Sequence, residues 1–332
     1  MKILKPNYYD QFVCIAGNCP DSCCQEWDVQ VDRLSAQRYL TLPGPLGDQL
    51  RQALKCSDDG DYSLEITDRR CPMWQQDGLC RIQAELGEEG LCQVCKTFPR
   101  LRHDYGDFVE LGLELSCPEA ARLIFTAPLA PPILLETPEK AAAEYDRLDM
   151  EILLRTRSHA LHILEDYTLP EAMTLLLLYG YRAQDELDGA DLAEWRPDEE
   201  LAFARQAAGD WDWNTLRSFY SELDILTPRW AALLQSPAPS FPESLSRMLR
   251  CGIERYWLQA ISDLDLICRV KMIIAGTLLV GHLGGDPMVT AQLYSKEIDN
   301  SIENLEAVLD AAYSHPALTD RHLLGLLQSI TP

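Results

Sequence analysis

The chain has 332 residues, a 47% hydrophobic composition, and 52 acidic against 29 basic residues, for a formal net charge of −23. That is enough apolar material for one large or two ordinary domains. The charge excludes nucleic acid as a partner, which needs a cationic stripe, and admits a basic one such as a lysine-bearing protein surface.

The opening MKILKPNYYDQFVC has neither a long apolar stretch nor a small-residue cleavage site, so no secretory leader is read there and a cytoplasmic location is expected. The longest apolar runs, at 173–179 and 272–283, fall short of the ~20 residues that span a bilayer, so no membrane partner is expected.

Residues 1–127 read as one cysteine-rich, turn-rich α+β unit. Within it the patterns predict short amphipathic helices at 31–42 and 47–55. Alternating stretches at 61–67 and 107–116 are candidate strands that could pair with each other. A helix is expected from Cys117, with Pro118 in its first turn. Prolines at 128, 131, 132 and 138 mark 128–138 as the linker. Beyond it, 139–332 reads as an all-α domain, with helices at 139–166, 171–187, 198–208, 212–225, 242–260, 262–282, 287–313 and 318–330. The fold class is therefore mainly α.

Ten of the twelve cysteines lie in the first 117 residues: Cys14, Cys19, Cys23, Cys24, Cys56, Cys71, Cys80, Cys92, Cys95 and Cys117. In a reducing compartment such density points to a soft metal or an iron–sulfur cluster rather than to disulfides. The spacing does not name the metal. There is one C-x-x-C (Cys92, Cys95), one C-x(3)-C-C (Cys19, Cys23, Cys24), and a single histidine in the region, His103. Arg69, Arg70, Arg81, Lys96 and Arg100 are either countercharges for a thiolate cluster or ordinary surface charge.

These residues carry a resemblance. Cys19, Cys23, Cys24 and Trp27 are followed by Cys71-Pro72, then by Gly78-Leu79-Cys80-Arg81-Ile82-Gln83. Leu91, Cys95-Lys96-Thr97-Phe98-Pro99-Arg100 and Ser116-Cys117-Pro118-Glu119-Ala120 complete the series. Over residues 8–125 this resembles the flagellin lysine-N-methylase family and, more distantly, zinc- or iron-chelating proteins with a CxxxCC pattern. The resemblance implies an S-adenosylmethionine-dependent protein lysine N-methyltransferase, acting on flagellin or another lysine-bearing protein. It implies a [4Fe-4S] cluster, or alternatively zinc, on cysteines drawn from Cys19, Cys23, Cys24, Cys71, Cys80, Cys95 and Cys117. Cys14 fits its place in the pattern, whereas Cys56 and Cys92 lie outside it.

No strand–Gly-rich-loop–helix unit of the doubly wound methyltransferases is visible, and GHLGGD at 281–286 reads as a helix end. For a sulfonium cofactor the candidate contacts are Trp27 and Tyr8 by their aromatic faces and Arg100 by pairing with a carboxylate. Tyr9, Asp28 and Tyr105 lie nearby, and no catalytic residue is assigned. His159, His162 and Glu165 share a helical face that either ligates a metal or is solvated, and Cys251 and Cys268 read as core. The competing function is non-enzymatic: an iron–sulfur or zinc protein whose acidic helical domain docks a partner.

Overall fold

A computed structural model describes residues 1–138 and 142–331. The chain opens with β1 (Lys2–Lys5) and β2 (Val29–Val31), then α1 (Arg33–Thr41), α2 (Gly44–Ala53), β3 (Leu54–Cys56) and β4 (Tyr62–Leu64). Two short helices follow, α3 (Arg81–Leu86) and α4 (Gln93–Thr97), and then β5 (Arg100–Asp104), β6 (Phe108–Leu113), α5 (Pro118–Thr126) and β7 (Ile133–Glu136).

The rest is helical: α6 (Arg147–Asp166), α7 (Leu169–Leu187), α8 (Pro197–Ala207), α9 (Trp213–Ser221) and α10 (Pro228–Gln235). After these come α11 (Ser246–Tyr256), α12 (Ile267–Leu283), α13 (Pro287–Ile298), α14 (Ile302–Ser314) and α15 (Asp320–Ser329). The fold is thus mainly helical with some sheet, and none of its described helices is long and apolar enough to cross a membrane.

The strands form two sheets. One has the order β2-β4-β3, all antiparallel. The other has the order β5-β6-β1-β7, in which β1 runs parallel to β6 and antiparallel to β7. The stretches at 61–67 and 107–116 do contain strands, β4 and β6, but they lie in different sheets and do not pair with each other. The stretch read as a linker holds β7, which closes the larger sheet against β1. The start of the helix expected at 139 falls partly on residues 139–141, outside the described residues, and α6 begins at Arg147 behind the Asp146 cap.

Two hydrophobic cores divide the molecule, and they do not divide at the Pro-rich stretch. The larger one takes in Phe12, Phe108, Leu113, Leu115, Cys117 and α5 together with the helices from α6 to α15. The smaller one is built from Val29, Val31, Tyr39, Leu50, Leu64, Met73 and Ile82 with a group of cysteines. Because β1 and β6 are neighbours in one sheet, the small core is an excursion of the chain between two strands that belong to the large one.

At the centre of the large core lies α12, in which every residue is buried. A helix that is apolar all round requires burial on all sides. Its two internal cations are compensated: Arg269 pairs with Asp263 at 2.8 Å, and Lys271 with Asp320 at 2.8 Å and Ala312 O at 3.0 Å. It ends at Gly284 with φ +73°, where a Cβ would run into Ala238 O.

Proline occupies the first turn of α5, α7, α8, α10 and α13, where its missing N–H costs nothing. The run 287–313 is cut into α13 and α14 because Ser301 turns aside to accept the Asn304 N–H at 3.1 Å and cap a new helix. Replacing Leu278, fully buried in α12, with Ala should cost about 2–5 kcal/mol by opening a cavity. Urea unfolding will check this; a change below half a kcal/mol would contradict the central placement of α12.

Candidate metal centre

All twelve cysteines are free thiols. Nine of them gather in two adjoining groups. The inner group, Cys24, Cys71, Cys80, Cys92 and Cys95, belongs to the small core, with Cys71 and Cys92 fully enclosed. Each of these sulfurs lies within electrostatic reach of others in the group. The outer group, Cys14, Cys19, Cys23 and Cys117, is likewise mutually connected, but Cys117 belongs to the large core. Cys56, on β3, is exposed and stands apart.

Local backbone geometry explains the inner group. Cys71 N donates to Cys24 O at 2.8 Å, stitching the C-C pair to the Cys71 turn. Trp74 and Cys80 form a β-bridge, which folds the next loop back. Asp32 caps two helices at once, accepting Ser35 N at 2.9 Å at the start of α1 and Gln93 N at 2.8 Å at the start of α4. These bonds from Gln93 and Ser35 hold its carboxyl below the usual range. The effect is to fix α4, and with it Cys92 and Cys95, against β2, where Cys92 Sγ reaches Gln30 O at 3.7 Å.

Two thiols are poised toward thiolate. Cys24 is lowered by a hydrogen bond donated from Cys23, and Cys92 by one from Cys95, whereas the donors are raised. Burial pushes Cys71 up to about 12 and Cys117 up to about 11. Among the described residues no group of three His, Cys, Asp or Glu already stands in a metal-holding arrangement. The donor set fits a soft metal in type and number.

The basic residues near the cysteines in sequence, read as either countercharge or surface charge, each face a carboxylate or a ring. Arg69 pairs with Glu26, Arg81 with Glu85, and Lys96 with Glu89. Arg70 lies over the Trp74 ring, and Arg100 over the Phe12 ring. The cation beside the thiols is Lys296 of α13, which is 1% exposed, 2.6 Å from Asp21 Oδ1 and 4.8 Å over the Trp27 ring. Its place in a helical run far along the chain gave no signal. Cys92, outside the resemblance, joins the inner group; only its plain C-x-x-C spacing marked it.

The other expected site residues are scattered. Trp27 packs on Phe98 and already carries a cation. Tyr8 is partly buried against the large core, and that burial, with Cys251 and Glu254 nearby, raises its hydroxyl well above normal. No described contact joins Tyr8, Trp27 and Arg100. Tyr105 stacks on Phe108, and Asp28 accepts Ile66 N at 2.7 Å. His159 stacks on Tyr179, His162 contacts Ser158 O and Glu165 binds Arg250, so each has a partner other than a metal.

Two cavities lie in the helical part. A small one of about 40 Å³ is lined by Cys251, Arg255, Tyr256 and Asp299. A groove of about 550 Å³ runs between α7, α8 and α15, lined by Tyr181, Arg182, Asp185, Trp195, Glu200 and Arg321, among others.

The fold and its thiols define a mainly helical protein with a cysteine-rich unit built around two sets of free sulfhydryls. Comparison with known proteins gives 30% identity over 132 residues to the flagellar biosynthetic protein FliU of Salmonella muenchen, covering 38% of this chain and 78% of that protein. The chain belongs to the family of that protein. Lysine-N-methylases of Salmonella typhimurium and Salmonella choleraesuis are also 30% identical over 132 residues, and the match spans 33% of their length. No family model and no solved structure matches.

Two predictions follow from the charges beside the thiols. Lys296→Met strands Asp21 in the interior and should cost about 3–5 kcal/mol, with Asp21→Leu added in the same chain recovering much of the loss. Denaturant titration checks both; equal stability of all three proteins would show the pair to be idle. Separately, Glu114 is raised to about 7 by burial, against the opposing Arg255. A carboxyl raised on folding makes the folded state bind more protons, so stability declines as pH climbs from about 4.5 to about 7, by up to about 3 kcal/mol. Glu114→Gln should flatten that slope in a pH series of unfolding midpoints; an unchanged slope assigns it elsewhere.

Proposed function

We propose that the chain is an S-adenosylmethionine-dependent protein lysine N-methyltransferase acting on flagellin, with a [4Fe-4S] cluster held by its inner cysteines. The observation that carries the reading is the convergence of five thiols in the small core, in a chain whose curated relatives are named lysine-N-methylase and flagellar biosynthetic protein. Four thiolates suffice for such a cluster, and Cys24, Cys71, Cys80, Cys92 and Cys95 offer five. When bound, the cluster supplies a rigid anionic centre that replaces missing apolar packing in the unit. The chain's own contribution is to hold the sulfurs by the Cys71–Cys24 backbone bond and the Asp32 double cap.

The groove between α7, α8 and α15 has the size expected of a small-molecule site. Its chemistry suits an adenosyl sulfonium. Trp195, Tyr181 and Phe203 offer aromatic faces, and the Trp195 indole N–H is buried without an acceptor. Asp185, Asp191 and Glu200 take part in no ion pair among the described residues and suit ribose hydroxyls or an incoming ammonium. Arg182 and Arg321 suit the methionine carboxylate. Transfer requires a neutral amine. Its lone pair forms the N–C bond as the methyl C–S bond breaks, the surplus proton passes to water or carboxylate, and a neutral thioether leaves.

Anaerobically purified protein should be brown, with about four irons and four acid-labile sulfides per chain. With S-adenosylmethionine and flagellin it should yield methyl-lysine by mass spectrometry. The double variant Cys71→Ser/Cys80→Ser should lose the colour. A colourless protein with stoichiometric zinc and no methyl transfer sinks the proposal.

A further inference from the structure

We infer that residues 189–195 are a lid over the groove between α7, α8 and α15, and that Trp195 is its latch, whose indole N–H turns to the ligand when the lid shifts. The inference rests on the reading of that groove as an adenosyl site, and it adds how the site opens and closes. Four residues of this one segment, Asp191, Leu192, Ala193 and Trp195, line the groove, so a ligand there lies against them.

The segment is tethered at its ends and loose between them. At the α7 end Asp188 N, Gly189 N and Ala190 N donate to Gln184 O, Glu186 O and Asp185 O at 2.9, 3.0 and 2.8 Å. Gly189 turns there at φ +79°, in the left-handed region, with no atom within 4 Å of the place a Cβ would take. At the far end Pro197 opens α8. From 191 to 195 no main-chain group takes part in a backbone hydrogen bond among the described residues. The ion pair of Glu194 with Arg196 is exposed, a kind worth little. A stretch with so few bonds opens at low cost.

One side chain holds the segment down. The Trp195 ring meets Tyr179 edge-on at 5.2 Å and His159 at 6.5 Å, and Arg182 lies 5.9 Å from its centroid. Tyr179 stacks in turn on Trp257, whose buried N–H donates to Thr156 Oγ1 at 3.1 Å. Trp195 has the same need and no such partner: its Nε1 is covered and bonded to nothing among the described residues. A buried donor without an acceptor is costly. The seat therefore suits the ring and not the N–H, and that imbalance makes the latch releasable. A ligand with a ring-nitrogen acceptor, as adenine has, relieves it once the lid shifts far enough to turn the N–H into the groove. Binding and lid position are thereby coupled, because such a ligand interacts differently with the two positions.

The probe for the test is S-adenosylhomocysteine, which carries the adenosine and has no methyl group to transfer. In full-length protein followed by hydrogen–deuterium exchange, the amides of 191–195 should exchange freely without the probe and about tenfold more slowly with it. Trp195→Phe keeps a ring and removes the N–H. By calorimetry it should bind the probe about tenfold more weakly, the worth of one hydrogen bond. Phe203→Asp, on α8 outside the lid, is the control for the groove and should abolish binding; Phe203 is 56% exposed, so the core is left intact. Circular dichroism checks that both variants are folded, and the exchange measurement needs neither. Binding that Phe203→Asp abolishes, with 191–195 unprotected or with Trp195→Phe as tight as wild type, overturns the lid and leaves the groove reading standing. No binding of the probe, or binding that Phe203→Asp leaves untouched, overturns the groove reading and the lid with it.

Discussion

The buried contact between Lys296 and Asp21 is what the arrangement of this protein turns on. It spans most of the chain, from the C-x(3)-C-C loop to α13, and both partners are almost out of water. A pair so placed is not chiefly a source of stability, since desolvation consumes most of its attraction. Its value is positional. Asp21 also accepts from Gln292, Lys296 covers Trp27, and Gln292 holds Ser116 O. Through these contacts one turn and a half of α13 sets where the first four cysteines lie relative to Cys117.

That dependence explains what could be read from sequence and what could not. Helices α1, α2, α5, α7, α8 and α15 were legible because their caps, leading prolines and apolar spacing are local signals. β1, β2, β3, β5 and β7 were not, because short strands of three to five residues carry little periodicity and owe their existence to partners far along the chain. β7 was hidden inside a proline-rich run that looked like a joint, and it is a strand only because β1 is there to pair with it. α10 was missed although Thr227 and Pro228 mark its start. The cysteines themselves were conspicuous. Their grouping in space was not, since it depends on contacts such as the Cys71 N to Cys24 O bond that join segments far apart in the chain. The buried cation was hidden for a like reason: basic residues near the thiols in sequence face carboxylates and rings, while Lys296 comes from α13.

The small core shows why thiols matter to folding here and not only to chemistry. Five of its nineteen members are cysteines. A unit with so few large apolar residues has little hydrophobic driving force to set against chain entropy, and small domains in that position rely on metals or cross-links. Soft metal binding by such a unit is coupled to its folding, because the deprotonated ligands come together only when the chain is folded. Cys24 and Cys92, each lowered by a thiol neighbour, show where protons would leave first.

The topology adds a constraint on motion. The cysteine unit leaves the large sheet after β1 and returns to it at β5 and β6, so its two ends are anchored within one hydrogen-bonded ladder. It cannot swing away as a domain on a single tether would. Whatever binds at the thiols is therefore held at a fixed offset from the helical core and from the groove on α7, α8 and α15. A rearrangement at the sulfurs can reach that core most directly through α5, whose N-cap is Cys117, and through α13, which carries Lys296. Both helices pack on α11 or on each other in the same hydrophobic cluster. The thiols and the core packing are in this sense joined through the Cys117 cap.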